Sequence, residues 1–272
     1  MTRGRSEDLP LLNYRCRGLA CRMRFDAVFF DLYGTLLVYG DMTAAWSSWL
    51  RTLHRWLAEL GLEIDSKELA SRCEGFFSRP VPALGTDGLT VYERRLEELV
   101  WELGAEASDD QLQSIAPATI DAWQVFVDLD PNAHPVLERL AQTHPLALIT
   151  NFDHPPHVQK ILDETRLNKH FASVVVSGDL EIKKPDPSIF DPAIEAVGRA
   201  ATNIAYVGDA PEDLVAAHGA GMTPIRLQRD GDTESDKAAD FRHATVPRQW
   251  TRDIEHLTIS SLRELPALIA DA

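Results

Sequence analysis

The stretch Phe25-Asp26-Ala27-Val28-Phe29-Phe30-Asp31-Leu32-Tyr33-Gly34-Thr35-Leu36 decides how this chain is read. Its first six residues are almost wholly apolar, the pattern of a short strand buried on both faces. Asp31 ends the run and Gly34 follows three residues later, so a carboxylate is delivered into a tight turn. A carboxylate at the carboxyl end of a parallel strand stands where open α/β sheets place their ligands. Three later stretches end alike: Leu146 to Asn151, Val174 to Asp179 and Ile204 to Asp209. Together they predict a hydroxyl, a lysine and a carboxylate pair gathered with Asp31 on one sheet edge.

The 272 residues allow either one elaborated domain or two modest ones. Composition is that of a globular protein, 44% hydrophobic and 25% charged. With 27 basic and 42 acidic side chains the formal charge is −15, which argues against nucleic acid or an anionic membrane surface as partner. An anionic small molecule stays compatible, because a metal ion and one lysine reverse the field locally. The three cysteines, Cys16, Cys21 and Cys73, form no CxxC and lack zinc-site spacing, which fits reduced thiols and a cytoplasmic setting. Residues 1–24 carry Arg3, Arg5, Arg15, Arg17, Arg22 and Arg24 between short apolar pieces. They contain no continuous apolar segment of signal-peptide or membrane-span length. A disordered leader, or a chain that starts at Met23, is the expectation; Glu7 and Asp8 weigh against an organelle transit peptide. Oligomeric state is not readable from the chain.

After the first strand and turn the periodicity becomes helical. Trp46, Trp49, Leu50, Leu53, Trp56, Leu57 and Leu60 recur at spacings of three and four and stop near Gly61. Three tryptophans on one stripe read as a packed helix face. Asp65 with Glu68 and Ser108 with Gln111 predict capping boxes, and Thr90 to Leu103 a further amphipathic helix. Residues 41–129 thus read as four helices without strands, inserted between residues 25–40 and 130–272. The latter return to α/β alternation: a helix from Pro135 to Ala141, strands near 145–151, 173–179, 204–209 and 223–228, a last strand at His256 to Ile259 and a closing helix from Ser260 to Ile269. The expected fold is a Rossmann-like parallel sheet covered by helices on both faces, with an all-helical insertion. Gln228 to Gln249 reads as a polar loop without a motif.

Four motifs at successive strand ends now stand in order. They are Asp31-Leu32-Tyr33-Gly34-Thr35-Leu36, then Thr150-Asn151, then Lys184-Pro185-Asp186-Pro187-Ser188-Ile189-Phe190. The last is Gly208-Asp209 with Asp213, before Ala220-Gly221-Met222. From about Phe25 to Leu268 the chain resembles the haloacid dehalogenase-like hydrolases, in the branch with a helical cap after the first strand. The resemblance implies that Asp31 attacks phosphorus to give an aspartyl-phosphate that water hydrolyses. It implies Mg²⁺ held by Asp31, Asp209 and the main chain of Tyr33, with Asp213 orienting or joining that shell. Lys184 would bind the nucleophile and the transferring group, and Thr150 the phosphoryl oxygens. The substrate implied is a small phosphorylated metabolite contacted by Tyr33, Thr150, Asn151 and Lys184.

Each residue also has a plainer reading. Asp31 at a strand end can open a turn, and Lys184 before proline can be a solvated loop lysine. Thr150 and Asn151 can cap and brace a loop. Asp209 and Asp213 can be an N-cap and a first-turn acid. Arg94 and Arg95 can bind an anion, but such a pair is more often a solvated face balanced by Glu93 and Glu97.

One position departs from the family's phosphatases, which commonly carry a second Asp two residues after the nucleophile. Here it is Tyr33, a poor general base near neutral pH, and such a group typically contributes about 10²–10⁴ in rate. The related 2-haloacid dehalogenases tend to have Tyr there, because halide leaves without a proton. Gly208-Asp209 points the other way, since those dehalogenases need no metal and carry Ser-Asn. A carboxylate beside Asp31 is electrostatically unfavourable without a cation. Metal-dependent phosphoryl chemistry is therefore preferred to dehalogenation, and both to a non-catalytic phospho-ligand binder. Carbon–phosphorus cleavage comes last, because the helical segment offers only Lys67 for a Schiff base.

Overall fold

The computed structural model describes residues 23–82, 85–229, 246 and 248–270. The expected leader, except Met23 and Arg24, lies outside the described residues, as do Cys16, Cys21 and most of the 228–249 loop. Strand β1 (Met23–Arg24) leads into β2 (Ala27–Phe30), and β3 (Leu37–Tyr39) follows the Asp31 turn. Four helices come next: α1 (Met42–Glu59), α2 (Ser66–Arg72), α3 (Val91–Glu102) and α4 (Asp109–Gln124). Strand β4 (Val127–Leu129) then returns antiparallel to β3. The chain continues through α5 (Ala133–Leu140), β5 (Leu146–Thr150), α6 (Pro155–Glu164), β6 (Ser173–Val176) and α7 (Asp191–Val197). It ends with β7 (Ile204–Gly208), α8 (Pro211–Gly219), β8 (Thr223–Leu227), β9 (Leu257–Ile259), α9 (Leu265–Leu268) and β10 (Ile269–Ala270).

Strands β6-β5-β2-β7-β8-β9 form one six-stranded sheet, parallel throughout. The chain builds outward from β2 through β5 to β6, then crosses back to β7 on the other side. The order reverses at β2, so the carboxyl ends of β2, β5 and β7 flank a topological switch point. Alternation along the strands splits the core in two. Val28, Phe30, Leu146, Leu148, Ala205 and Val207 belong to one apolar cluster, while Ala27, Phe29, Ala147, Ile149, Ile204 and Tyr206 belong to the other. Two covered faces explain why these strands read as continuous apolar runs.

The insertion follows its periodicity. Met42, Ala45, Trp49, Leu53 and Leu57 are the buried stripe of α1, and Gly61 beyond its end has φ +83. Thr90 and Ser108 form capping boxes with Glu93 and Gln111. Asp65 also caps its helix, but its carboxylate takes the amide of Lys67, and the expected reciprocal bond from Glu68 is not formed. Two further corrections concern short elements. Residues 41–129 were expected to hold no strand, yet β4 pairs with β3, because the segments entering and leaving the helices run side by side. The closing helix is split into a 3-10 turn at Leu262–Glu264, the four-residue α9 and β10, which pairs with β1. Among the described residues no helix is long and apolar enough to cross a membrane.

Candidate active site

Asp31 leaves β2 with its amide donating to the Val207 carbonyl at 2.9 Å, so the central strand pair sets its position. Its side chain is buried, as are those of Asp209, Asp213 and Lys184. Lys184 Nζ lies 2.6 Å from Asp31 Oδ1, 2.7 Å from Asp213 Oδ1 and 2.9 Å from the Tyr206 hydroxyl, with the Ile149 carbonyl farther off at 3.3 Å. An ammonium has three protons, so the shorter contacts account for its donors. One oxygen from each of Asp31, Asp209 and Asp213 falls within 4.8 Å of the others. Three carboxylates against one ammonium leave room in the charge balance for a divalent cation with oxygen ligands, and the donor set suits Mg²⁺.

Glycines make the close approach. Gly34 has φ +90, and a Cβ there would stand 2.3 Å from Asp209 Oδ1. A Cβ on Gly208 would stand 2.4 Å from the Asp213 carboxyl. Asp213 itself, in the first turn of α8, accepts from the Ala210 amide at 2.9 Å through Oδ2 and from Lys184 through Oδ1. Both its oxygens are thus engaged by protein donors.

Charge in so dry a place shifts proton affinities. Burial pushes the Asp31 carboxyl up to about 7; Lys184 opposes this, and Asp213 and Asp209 add to it. Burial pulls the Lys184 ammonium down, but Asp213 and Asp31 outweigh it and raise its pKa overall, so Lys184 stays charged. Burial likewise raises the Tyr206 phenol well above its ordinary value.

The remaining expected residues divide. Thr150 is 1% exposed and its Oγ1 has no hydrogen-bond partner, an unsatisfied hydroxyl at the end of β5. Asn151 is instead committed to the lysine loop: its Oδ1 accepts from the Lys184 amide and its Nδ2 donates to the Lys184 carbonyl, both at 2.9 Å. The substrate contact expected of Asn151 gives way to bracing, because both ends of its amide are in use. Tyr33 makes its side-chain contacts with the helical segment and the loop after β5. Its hydroxyl donates to Gln124 Oε1 at 3.0 Å, and its ring stacks on Phe152 with centroids 5.1 Å apart. Burial raises this phenol well above its ordinary pKa, so Tyr33 is no proton acceptor.

Arg94 and Arg95 do not form the expected solvated face. Arg95 is 1% exposed; its Nε donates to Asp153 Oδ2 at 2.8 Å and its Nη1 to the Arg79 and Pro80 carbonyls. Arg94 pairs with Asp87, and Glu93 is buried in its capping box. The signal was present: Tyr92, Arg95, Leu96 and Leu99 share one face of α3 at spacings of three and four. Arg229 was missed altogether, inside a stretch read as a featureless loop. It donates to the Gly34 carbonyl at 2.6 Å, the Thr35 carbonyl at 2.7 Å and Asp130 Oδ2 at 2.7 Å, and so ties down the turn after Asp31.

Comparison with known proteins agrees with this geometry. The sequence profile of the haloacid dehalogenase-like hydrolases matches residues 25–221. The chain is 32% identical over 146 residues to haloacid dehalogenase-like hydrolase domain-containing protein 3 of Danio rerio, a match covering 53% of this chain and 52% of that protein. It thus spans about half the length of that relative. It is 28% identical over 207 residues to the glyceraldehyde 3-phosphate phosphatase of Methanopyrus kandleri, covering 75% of this chain and 84% of the relative. Among solved structures, the 2-haloacid dehalogenase of Pseudomonas syringae pv. Tomato DC3000 superposes with a TM-score of 0.59 at 25% identity, over 90% of this chain and 97% of that one.

Proposed function

We propose that this chain, which belongs to the haloacid dehalogenase-like hydrolases, is a Mg²⁺-dependent phosphatase of small phosphorylated metabolites that acts through an aspartyl-phosphate on Asp31. The observation that carries the reading is the buried set of Asp31, Asp209, Asp213 and Lys184 at the switch point of the sheet. Asp31 and Asp209, with the main-chain carbonyl of Tyr33, would hold the ion. When bound, Mg²⁺ neutralises charge on the phosphoryl group and beside the nucleophile.

The chain's own residues divide the rest of the work. A carboxylate oxygen of Asp31 attacks phosphorus, the P–O bond to the leaving group breaks as a water protonates the departing oxygen to the alcohol, and water then hydrolyses the acyl phosphate to inorganic phosphate and free Asp31. Lys184 keeps Asp31 oriented and shields one anion from the other. The unsatisfied Thr150 hydroxyl donates to a phosphoryl oxygen. Asn151 and Asp213 act on substrate only by positioning Lys184, through its backbone and its ammonium respectively. Residues 41–129 serve as a cap over a core made of 25–40 and 130–272, and close the site against bulk water. The buried Cys73 thiol, in no disulfide, fits a cytoplasmic setting.

Tyr33 favours a second reading, metal-independent dehalogenation of a 2-haloacid. The test is a screen of phosphate esters beside 2-chloropropionate, with Mg²⁺ or chelator, and with Asp31→Asn as control. Phosphate release that requires both the metal and Asp31 is expected. Halide release indifferent to chelator would replace the phosphatase reading.

A further inference from the structure

Between the helical segment and the loop after β5 lies a cavity of about 100 Å³. Its walls are mostly rings and aliphatic groups: Tyr39, Trp49, Phe77, Ile120, Trp123 and Phe152. It adjoins the reacting centre, because Tyr33 and Asn151 also line it, two residues after Asp31 and one after Thr150. The cavity thus borders the turn after Asp31 and the end of β5, within the direction a leaving group on a phosphorus at Asp31 would take if it extends towards the helical segment.

Most of the polar groups on these walls are already taken. The Tyr33 hydroxyl donates to Gln124 Oε1. The Tyr92 hydroxyl accepts from Trp49 Nε1 at 2.7 Å and bonds the Thr119 hydroxyl at 2.8 Å. Asp153 is paired with Arg95, and Asn151 with the backbone of Lys184. His154 bonds Thr90 Oγ1 through Nδ1, and its Nε2 and the Lys183 ammonium are among the polar groups these walls offer a ligand. A few such groups suffice for an ester oxygen or a phosphoryl oxygen, but walls made mostly of rings and aliphatic groups do not match the ring of hydroxyls a sugar carries. Sugar hydroxyls turned onto these walls would lose their water without replacement.

Resting on the phosphatase reading, we infer that the leaving group is a compact apolar one, an alkyl chain or a single carbocyclic ring, and that polyhydroxylated phosphates are poor substrates. The volume sets the size. Benzene fills an apolar cavity of about 150 Å³, so one ring is the upper limit here, with small side-chain adjustment.

Benzyl phosphate, glucose 6-phosphate and methyl phosphate all release primary alcohols of similar acidity, so differences among them report the pocket rather than intrinsic reactivity. With Mg²⁺ present, kcat/KM for benzyl phosphate should exceed that for glucose 6-phosphate by at least about tenfold, the scale of a few apolar contacts. Ile120→Phe, which fills the cavity, should lower the benzyl-to-methyl ratio by about tenfold, with folding checked by circular dichroism. Equal or better turnover of glucose 6-phosphate overturns the inference, as does an unmoved ratio in folded Ile120→Phe. If no ester is hydrolysed, the phosphatase reading has failed, and the pocket is judged alone by tryptophan fluorescence. A saturable change on adding benzyl alcohol, lost in Ile120→Phe, supports it, and no change in the wild type overturns it.

Discussion

Lys184→Met removes a charge from the centre of the site while keeping a buried stem of similar length. The ammonium it deletes stands 2.6 Å from one Asp31 oxygen and 2.7 Å from one Asp213 oxygen. At an effective dielectric of about 20, each contact is worth roughly 6 kcal/mol of gross attraction. Both cannot appear in full as lost stability, because whole domains are stable by only about 5–15 kcal/mol. The carboxyls escape by taking up protons, so the net loss is about 3–5 kcal/mol, the usual result of stranding a buried charge.

That escape gives the prediction its signature. The Asp31 carboxyl is raised from 3.8 to about 7 in the wild type, by burial first, with Lys184 holding it down. A raised carboxyl binds its proton more tightly in the folded state, so stability falls as pH rises from about 4 to the folded pKa. The slope is about 1.4 kcal/mol per pH unit. In the wild type this decline ends near pH 7. Without Lys184 the folded pKa climbs further and the decline continues. Between pH 7 and 8.5 the gap between the two proteins should therefore widen by roughly 2 kcal/mol. Urea unfolding in EDTA at the two pH values measures it. Added Mg²⁺ should narrow the gap, because a dication restores the missing positive charge. Turnover should fall about 10²–10³-fold, the scale for losing one group that stabilises developing charge. A gap unchanged between pH 7 and 8.5, or a variant as stable as the wild type, would refute the picture of a lysine restraining buried carboxylates.

Gly34→Ala would drive a methyl into the Asp209 carboxylate at a φ of +90, so Mg²⁺ affinity should drop at least about tenfold and stability by about 1–3 kcal/mol; isothermal titration and thermal unfolding check the two. Arg229→Met frees the Gly34 and Thr35 carbonyls and leaves Asp130 without its cation, which should cost about 2–4 kcal/mol and raise the Mg²⁺ concentration needed for half-maximal activity. Activity indifferent to Mg²⁺ concentration in that variant would count against a role for Arg229 in holding the turn. Tyr33→Phe loses one hydrogen bond to Gln124, so it should cost about 1 kcal/mol and leave kcat/KM within roughly threefold; a hundredfold loss would show that the phenol takes part in the reaction.

The residues legible in the sequence share a property: each lies within a few positions of the end of an apolar run. Asp31 and Asp209 follow β2 and β7 directly and Thr150 ends β5, so reading the strands places them together. The illegible residues reach the site across the fold. Arg229 meets Gly34 and Thr35 from 195 and 194 positions away, and no local pattern announces a guanidinium–carbonyl contact of that span. Arg95 was misread for another reason: charge suggested an exposed face where helical spacing alone would have placed it inside. Asn151 shows the limit of a motif, which names a residue type but not whether its amide turns to the ligand or to the loop.

Tyr33 and Asp209 point to different chemistries, and the electrostatics of the site favours the second. A nucleophilic carboxyl raised to about 7 is protonated in about half the molecules at neutral pH. A protonated carboxyl does not attack. Lys184 alone leaves Asp31 in that condition, because burial outweighs it, Asp213 shares its ammonium and Asp209 adds repulsion. A cation beside Asp209 would lower that proton affinity and favour the attacking carboxylate. Tyr33, by contrast, imposes little on the reaction, since its hydroxyl is spent on Gln124 and its ring on Phe152. On the proposed phosphatase reading, the acidic residue beside the nucleophile, rather than the tyrosine two positions after it, constrains the reaction by favouring a divalent ion. An apolar leaving-group pocket then becomes intelligible beside a charged phosphoryl site. Charge is handled entirely on the sheet edge, and the helical segment need only enclose what carries none.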